Sequence, residues 1–191
     1  MENARRRLAW AIASCVALVC GCAGAGEQPK SDAVPRDPSH DFDFEFGSWN
    51  THLRLLRHPL SGSNDWVECD GTTAVTKLLD GRANVVELRV SCPTGPIEGI
   101  SLRLYEPATH RWTLNFTNIR DGRLTSPVSG SFQDGRGTFY GKDSLGGRAI
   151  LVRFVISPIT PDSIRFEQSF SADDGRTWEL NWAADDVRAK S

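Results

Sequence analysis

The sequence predicts an all-β protein whose chain folds as an up-and-down antiparallel β-barrel of about ten strands. Two observations lead to this fold class. From Phe42 onward, apolar and polar residues alternate with period two, and Gly, Pro, Asp or Asn interrupt the alternation every ten residues or so. The chain also has 17 Gly and 10 Pro against a single Met, and it lacks the apolar spacing of an amphipathic helix of normal length.

The overall composition is that of one soluble domain. The chain has 191 residues, of which 39% are hydrophobic and 24% are charged. Its only sustained apolar run is at the N-terminus, which excludes a polytopic membrane protein. With 22 basic and 24 acidic side chains, the chain has no surplus of positive charge for a phosphate backbone, and we expect no nucleic-acid partner.

The first 21 residues are predicted to be a signal peptide. Three Arg at positions 5–7 precede an apolar stretch at 8–19, which is too short to span a bilayer. The following Val19-Cys20-Gly21-Cys22 resembles the bacterial lipoprotein signal, which implies lipidation of Cys22 and a membrane anchor in the cell envelope. Ala23-Gly24-Ala25 is a competing site for ordinary cleavage, which would release a periplasmic or secreted protein.

A flexible tether is predicted at residues 22–40, because this stretch is rich in Gly, Ala, Pro and charge and has no hydrophobic periodicity. The barrel domain is predicted at residues 41–188.

Ten strands are predicted along the barrel domain, joined by tight turns such as Asp121-Gly122, Asp134-Gly135 and Gly146-Gly147. Successive strands with tight turns pair antiparallel, and closure of the meander removes its two edges. The predicted strands are 49–57, 66–79, 84–92, 97–105, 111–118, 128–133, 137–142, 148–157, 163–171 and 177–184.

The apolar face of these strands is expected to point into the barrel. Five aromatic residues on that face are our candidates for a ligand-binding interior: Trp112, Phe116, Phe154, Phe166 and Trp182. Periodicity leaves open whether the barrel encloses a cavity or is filled by side chains, in which case these residues are core.

Cys69 and Cys92 are the only cysteines of the predicted domain, and export makes them a candidate disulfide. If Asp80 and Gly81 are the central residues of a hairpin turn, an unbroken ladder places the two cysteines opposite each other as a hydrogen-bonded pair with Cα atoms about 5.5 Å apart. A bulge at Gly71 would shift this register, and two buried thiols are the alternative. The four His residues lack a metal-ligand spacing with either Cys, so no metal site is predicted.

Three Phe, at positions 42, 44 and 46, lie on one side of a segment that we predict to be extended and that leads into Gly47-Ser48-Trp49. Here the chain resembles the calycin superfamily of lipocalins and fatty-acid-binding proteins. The resemblance implies that Trp49 is structural and is capped by a basic residue from near the last strand, Arg165 or Arg188. The alternative is a hydrophobic plug under a sheet of another topology.

The chain from Phe42 to Trp182 is also similar to a family of exported bacterial calycin-like proteins of unknown function. The similar segments include Leu104-Tyr105-Glu106-Pro107, Asp134-Gly135-Arg136-Gly137 and Arg165-Phe166-Glu167-Gln168. The resemblance implies fold and location and supplies no catalytic residues.

Residues 171–178, SADDGRTW, match the Asp-box pattern of sialidase-type propellers, in which the box is a hairpin turn and is not catalytic. A propeller would repeat the box in every blade, whereas this chain has it once, so we predict a hairpin. No catalytic motif is found, and Arg165 and Glu167 are expected on the polar exterior.

These observations favour an exported, lipid-anchored barrel without enzymatic activity or cofactor, which binds a small hydrophobic or amphipathic ligand. The alternative is an envelope interaction module with a filled barrel. A hydrolase acting at the barrel mouth is the least favoured function.

Overall fold

The protein is a closed barrel of ten antiparallel strands, in the computed structural model that describes residues 36–190. The strands follow one another around the barrel in chain order, and the first strand closes against the last. The predicted all-β meander is thus confirmed. Within residues 36–190, no helix has the length and apolar character to cross a bilayer. The strands are β1 Gly47–Leu56, β2 Trp66–Leu78, β3 Ala83–Ser91, β4 Ile97–Glu106, β5 Arg111–Asn118, β6 Val128–Gln133, β7 Arg136–Leu145, β8 Arg148–Ile159, β9 Ser163–Ser171 and β10 Glu179–Arg188.

The last strand runs further than the sequence suggested. We predicted an end at Ala184, but β10 pairs with β1 from Trp182 through Arg188. Its Asp185 and Asp186 look like a loop signal because two adjacent carboxylates are unusual in a strand. Asp185 is accommodated on the outer face, where both of its oxygens accept from Nη1 of Arg165 at 2.8 and 2.7 Å.

The hairpin of β2 and β3 has the register predicted from its turn. Arg82 N–H donates to the Leu79 carbonyl at 3.2 Å, with Asp80 and Gly81 between them at positive φ. Gly71 lies opposite Val90 without a bulge, and a Cβ at Gly71 would lie 2.0 Å from the Arg89 carbonyl oxygen.

The register brings Cys69 to Cys92, and the two are joined by a disulfide. Their Cα atoms are 4.4 Å apart. This is the spacing of a non-hydrogen-bonded pair, not of the hydrogen-bonded pair that we expected.

A cap closes the end of the barrel at which β1 begins. Residues 36–46 form it, with short 3₁₀ turns at Pro38–His40 and Asp43–Glu45. Phe42 is fully buried, and its ring centroid lies 4.8 Å from that of Trp112 and 5.0 Å from that of Phe132.

This cap corrects two expectations. The segment before β1 is turned and not extended, because Phe42 has to reach the barrel axis. The predicted tether also has to end before Arg36, since Trp112 Nε1 donates to the Pro38 carbonyl at 2.9 Å and Ser39 is buried. The predicted signal peptide, Cys22 and residues 22–35 lie outside the described residues.

Trp49 is capped by Arg188 and not by Arg165. The Arg188 guanidinium carbon lies 4.0 Å from the centroid of the Trp49 ring, and its two terminal nitrogens donate to the carbonyls of Phe46 and Phe44 at 3.1 and 2.8 Å. The basic residue therefore joins the last strand to the cap. Arg165 instead pairs with Asp185 and Glu167, and all three are half-buried at the outer face.

The Asp-box segment is a hairpin turn between β9 and β10. The carboxylate of Asp173 accepts from the Thr177 N–H at 2.9 Å, from the Thr177 hydroxyl at 2.7 Å and from the Ser171 hydroxyl at 2.8 Å. These hydrogen bonds, from the Thr177 backbone first, lower the pKa of Asp173 to about 2. Trp178 Nε1 donates to the carbonyl of Gly175, which has positive φ. In this protein the motif therefore stabilises the turn between β9 and β10, as predicted.

Candidate functional site

A cavity of about 270 Å³ occupies the barrel between the cap and the opposite, open end. This volume is just below the range of about 300–1,000 Å³ typical of small-molecule sites. The walls are mostly apolar, and the polar groups gather near the cap and at the rim. The apolar lining residues are Val86, Leu88, Leu114, Phe116, Val128, Val152, Phe154, Phe166, Phe170, Trp182 and Ala184.

Four of the five aromatic residues proposed from the sequence line this cavity: Phe116, Phe154, Phe166 and Trp182. The fifth, Trp112, does not. It shares the inward face of β5 but lies closer to the cap, where the ring is fully buried against Phe42. The structure therefore places Trp112 in the packed core at the capped end of the barrel. That the other four residues bind a ligand stays a prediction.

The cavity is bridged near its open end by two of these rings. Phe116 on β5 and Trp182 on β10 come from opposite walls, since five strand steps separate them in either direction around the barrel. Their ring centroids are 6.3 Å apart in an edge-to-face arrangement.

The cavity reaches the surface beside β5. Only three residue pairs, from Trp112 to Leu114, join β5 to β6. Beyond them the exposed Thr125 and Ser126 belong to the cavity lining, together with Asn115. The Thr125 N–H donates to the Phe116 carbonyl at 2.7 Å, so the segment before β6 continues the wall beside β5 and borders the cavity at the surface.

The base of the cavity holds a buried ion pair between Glu45 of the cap and Arg103 of β4. Arg103 Nη1 donates to Glu45 Oε2, and the two side chains are 4% and 0% exposed. The Arg103 guanidinium carbon also lies 4.5 Å from the centroid of the Phe42 ring. Such a pair is retained only with close geometry, because removing two charges from water is costly.

Asp186 of β10 lines the same base and is only 2% exposed. Its Oδ1 finds no hydrogen-bond partner among residues 36–190. Burial is the main cause that raises the pKa of Asp186, a hydrogen bond from Thr51 and the charge of Arg103 lower it, and the charges of Glu45 and Asp185 raise it; the net pKa is about 7. A carboxyl group that changes charge near neutral pH therefore faces the cavity.

A bulge in β10 sets which residues face the cavity. Leu180 pairs with Ser169 and Trp182 with Gln168, so Asn181 is the extra residue. Asn181 alternates in the sequence with the apolar Leu180 and Trp182, but it is 2% exposed and accepts from Gln168 Nε2 at 3.0 Å. After the bulge, every second residue of β10 faces the cavity: Trp182, Ala184 and Asp186.

None of the three charged residues of the base was predicted from the sequence. Glu45 lies between two Phe of the segment that we predicted to be extended, and Asp186 lay beyond the predicted end of its strand. The alternation Trp182, Ala184, Asp186 was the available signal for the second. No sequence signal pointed to Arg103, because the inward side of β4 is not its apolar side. Ser101, Arg103 and Tyr105 point inward, whereas Ile100 and Leu104 are each 41% exposed.

No family model and no curated protein matches the chain. Among solved structures, the S-type phycobiliprotein lyase CPES from Guillardia theta superposes with a TM-score of 0.56 at 15% identity, over 82% of this chain and 95% of that one. The fold is a calycin-like barrel.

Two designed proteins also match, with lower scores. The barrel EF1p2_mFAP2b bound to DFHBI has a TM-score of 0.45 at 11% identity, over 80% of this chain and 99% of that one. A fluorescence-activating β-barrel designed de novo has a TM-score of 0.43 at 12% identity, over 78% of this chain and 98% of that one. The predicted membership of an exported bacterial family stays a prediction.

Proposed function

We propose that this protein binds a small hydrophobic or amphipathic ligand inside its barrel. The observation that carries the proposal is the cavity of about 270 Å³ with apolar walls and a polar base. Water confined between apolar walls makes few hydrogen bonds, so replacing it with apolar ligand surface is favourable, at roughly 25 cal/mol per Å². A filled barrel, the alternative that favoured an interaction module, would not leave this space.

Ligand binding is tested by titration with N-phenyl-1-naphthylamine, an uncharged dye that fluoresces more strongly in apolar surroundings. We expect saturable fluorescence enhancement with the wild-type protein. Phe116→Ala removes a wall contact and should weaken binding several-fold, whereas Thr113→Ala, on the outward face of the same strand, should leave it unchanged.

Two results would count against these expectations. A flat titration with folded wild-type protein would refute an accessible apolar interior. Equal loss of binding in both variants would show that strand β5 as a whole, and not the Phe116 ring, had been disturbed. Native mass spectrometry of protein purified without detergent adds a direct search for a bound small molecule.

We further propose that the protein is exported and anchored to a bacterial envelope membrane through lipid on Cys22. The sequence pattern at residues 19–22 supports this, and so does the Cys69–Cys92 disulfide, because disulfides persist in oxidising compartments. Metabolic labelling with an alkyne fatty acid tests the anchor. We expect labelling to be lost in Cys22→Ser and kept in the neighbouring Cys20→Ser; loss in neither variant would refute lipidation at Cys22.

A further inference from the structure

The base of the cavity has two carboxyl groups, Glu45 and Asp186, and one guanidinium, Arg103, among residues 36–190. Glu45 and Arg103 neutralise each other through their hydrogen bond. Asp186 is the remaining ionisable group at the base, and it lines the cavity beside them. When Asp186 is ionised, the base carries one carboxylate in excess.

The neighbours of Asp186 on the adjoining strands supply no cation for it. Its register partners are Thr51 on β1 and Ile164 on β9. The nearest acid on its own strand, Asp185, points outward to Arg165. Arg103 faces Asp186 across the base, but its Nη1 donates to Glu45, which balances its charge. An oxygen of Asp186 that is buried and lacks a hydrogen-bond donor within residues 36–190 therefore adjoins the cavity.

We infer that the ligand is an amphipathic amine, whose ammonium group binds Asp186 and whose apolar body lies along Phe154, Phe166 and Trp182. This inference rests on the proposed function of the cavity. An ammonium group supplies both the missing charge and the missing donor. Hydrogen bonds between charged partners in a low-dielectric interior are also stronger than neutral ones.

An anionic head group, such as a fatty-acid carboxylate, fits this base poorly. It would lie near the carboxylates of Glu45 and Asp186. Arg103 Nε has no hydrogen-bond partner among residues 36–190, but the charge of this one guanidinium is already balanced by Glu45. Burying a further negative charge there is unfavourable unless a proton enters with it. A neutral alcohol would fit without this repulsion but would lack the charge attraction.

The preference for an amine should depend on pH. The charged groups that face Asp186 are Glu45 from the cap and Arg103 from β4, and the charge of Asp185, which points outward from the same strand, also acts on it. Asp186 is mostly protonated below about pH 7 and ionised above it. A primary alkylammonium keeps its charge throughout this range, as a lysine does, so its affinity should rise between about pH 6 and pH 8.

The test is calorimetric titration of the whole protein with octylamine, octanol and octanoate, which share one chain and differ in the head group. At about pH 8 we expect octylamine to bind on the order of tenfold more tightly than octanol, with octanoate weakest. Asp186→Asn should remove the advantage of octylamine and its pH dependence. Asp185→Asn, one residue away on the outer face, should keep both.

The outcomes separate the two proposals. Equal or tighter binding of octanol or octanoate would overturn the amine inference while supporting a ligand-binding cavity. No binding of any of the three, together with a flat dye titration, would refute both. Should Asp186→Asn fail to fold, the pH series on wild-type protein decides alone, since an octylamine affinity that does not rise from about pH 6 to pH 8 contradicts the inference.

Discussion

Asp186 should make folding stability depend on pH. Its pKa is raised from 3.8 to about 7 in the folded protein. As pH rises, the unfolded chain loses this proton near pH 4, whereas the folded chain keeps it until about pH 7. Stability therefore falls across this window, by about 4 kcal/mol in full, and the loss levels off above it.

Replacing Asp186 by Asn removes this titration and preserves the side-chain shape. We expect the free energy of unfolding of Asp186→Asn, relative to wild type, to rise by about 2–3 kcal/mol between about pH 5 and pH 8. Urea denaturation of both proteins at several pH values measures it. A difference that stays constant with pH would show that Asp186 is ionised in the folded protein across this range.

Single residues were predictable from the sequence where their chemistry agreed with their position. Phe154 and Phe166 are apolar residues on an apolar face, and period two was enough to place them. Glu45, Arg103 and Asp186 are charged residues that are buried at the cavity base, and their burial depends on contacts between the cap, β4 and β10. Such contacts are set by closure of the barrel, which one strand's periodicity does not report.

At the scale of elements, the hairpin of β2 and β3 is held by both its turn and its disulfide. The disulfide links positions 23 residues apart. Closing a loop of that length stabilises the folded state by roughly 3 kcal/mol in the chain-entropy account. We expect Cys69→Ala/Cys92→Ala to lose about that much in urea denaturation, while remaining a barrel at room temperature.

The thiol content gives the matching chemical test. Denatured, unreduced wild-type protein should show no reactive thiol from this pair, and reduction should release two. Two reactive thiols without reductant would contradict the bond. An unchanged denaturation midpoint in the double variant would show that the ladder alone fixes this hairpin.

Turn residues predicted these elements better than strand composition did. Asp80-Gly81 predicted the register of β2 and β3 correctly, because the length and type of a tight turn determine which residues of the two strands pair. The end of β10 was missed, since its last residues include Asp185 and Asp186. The bulge at Asn181 was missed as well, and it depends on how β9 and β10 pair around the cavity.

At the scale of the whole molecule, packing is divided along the barrel axis. At the capped end, Phe42 contacts rings from β5, β6 and β7, and Arg188 ties β10 to the same segment. At the open end the wall surrounds a cavity. The capped half should therefore carry most of the packing stability, and the open half should tolerate substitution.

This division predicts unequal effects for two Phe→Ala substitutions. Phe42→Ala leaves a void among fully packed rings and should cost about 3–5 kcal/mol. Phe116→Ala removes a half-buried ring that already borders empty space, and we expect a loss of less than about 2 kcal/mol. Urea denaturation followed by circular dichroism and by Trp fluorescence compares them. Equal losses would mean that the cavity wall is packed as tightly as the cap, which would also remove the space that the proposed ligand needs.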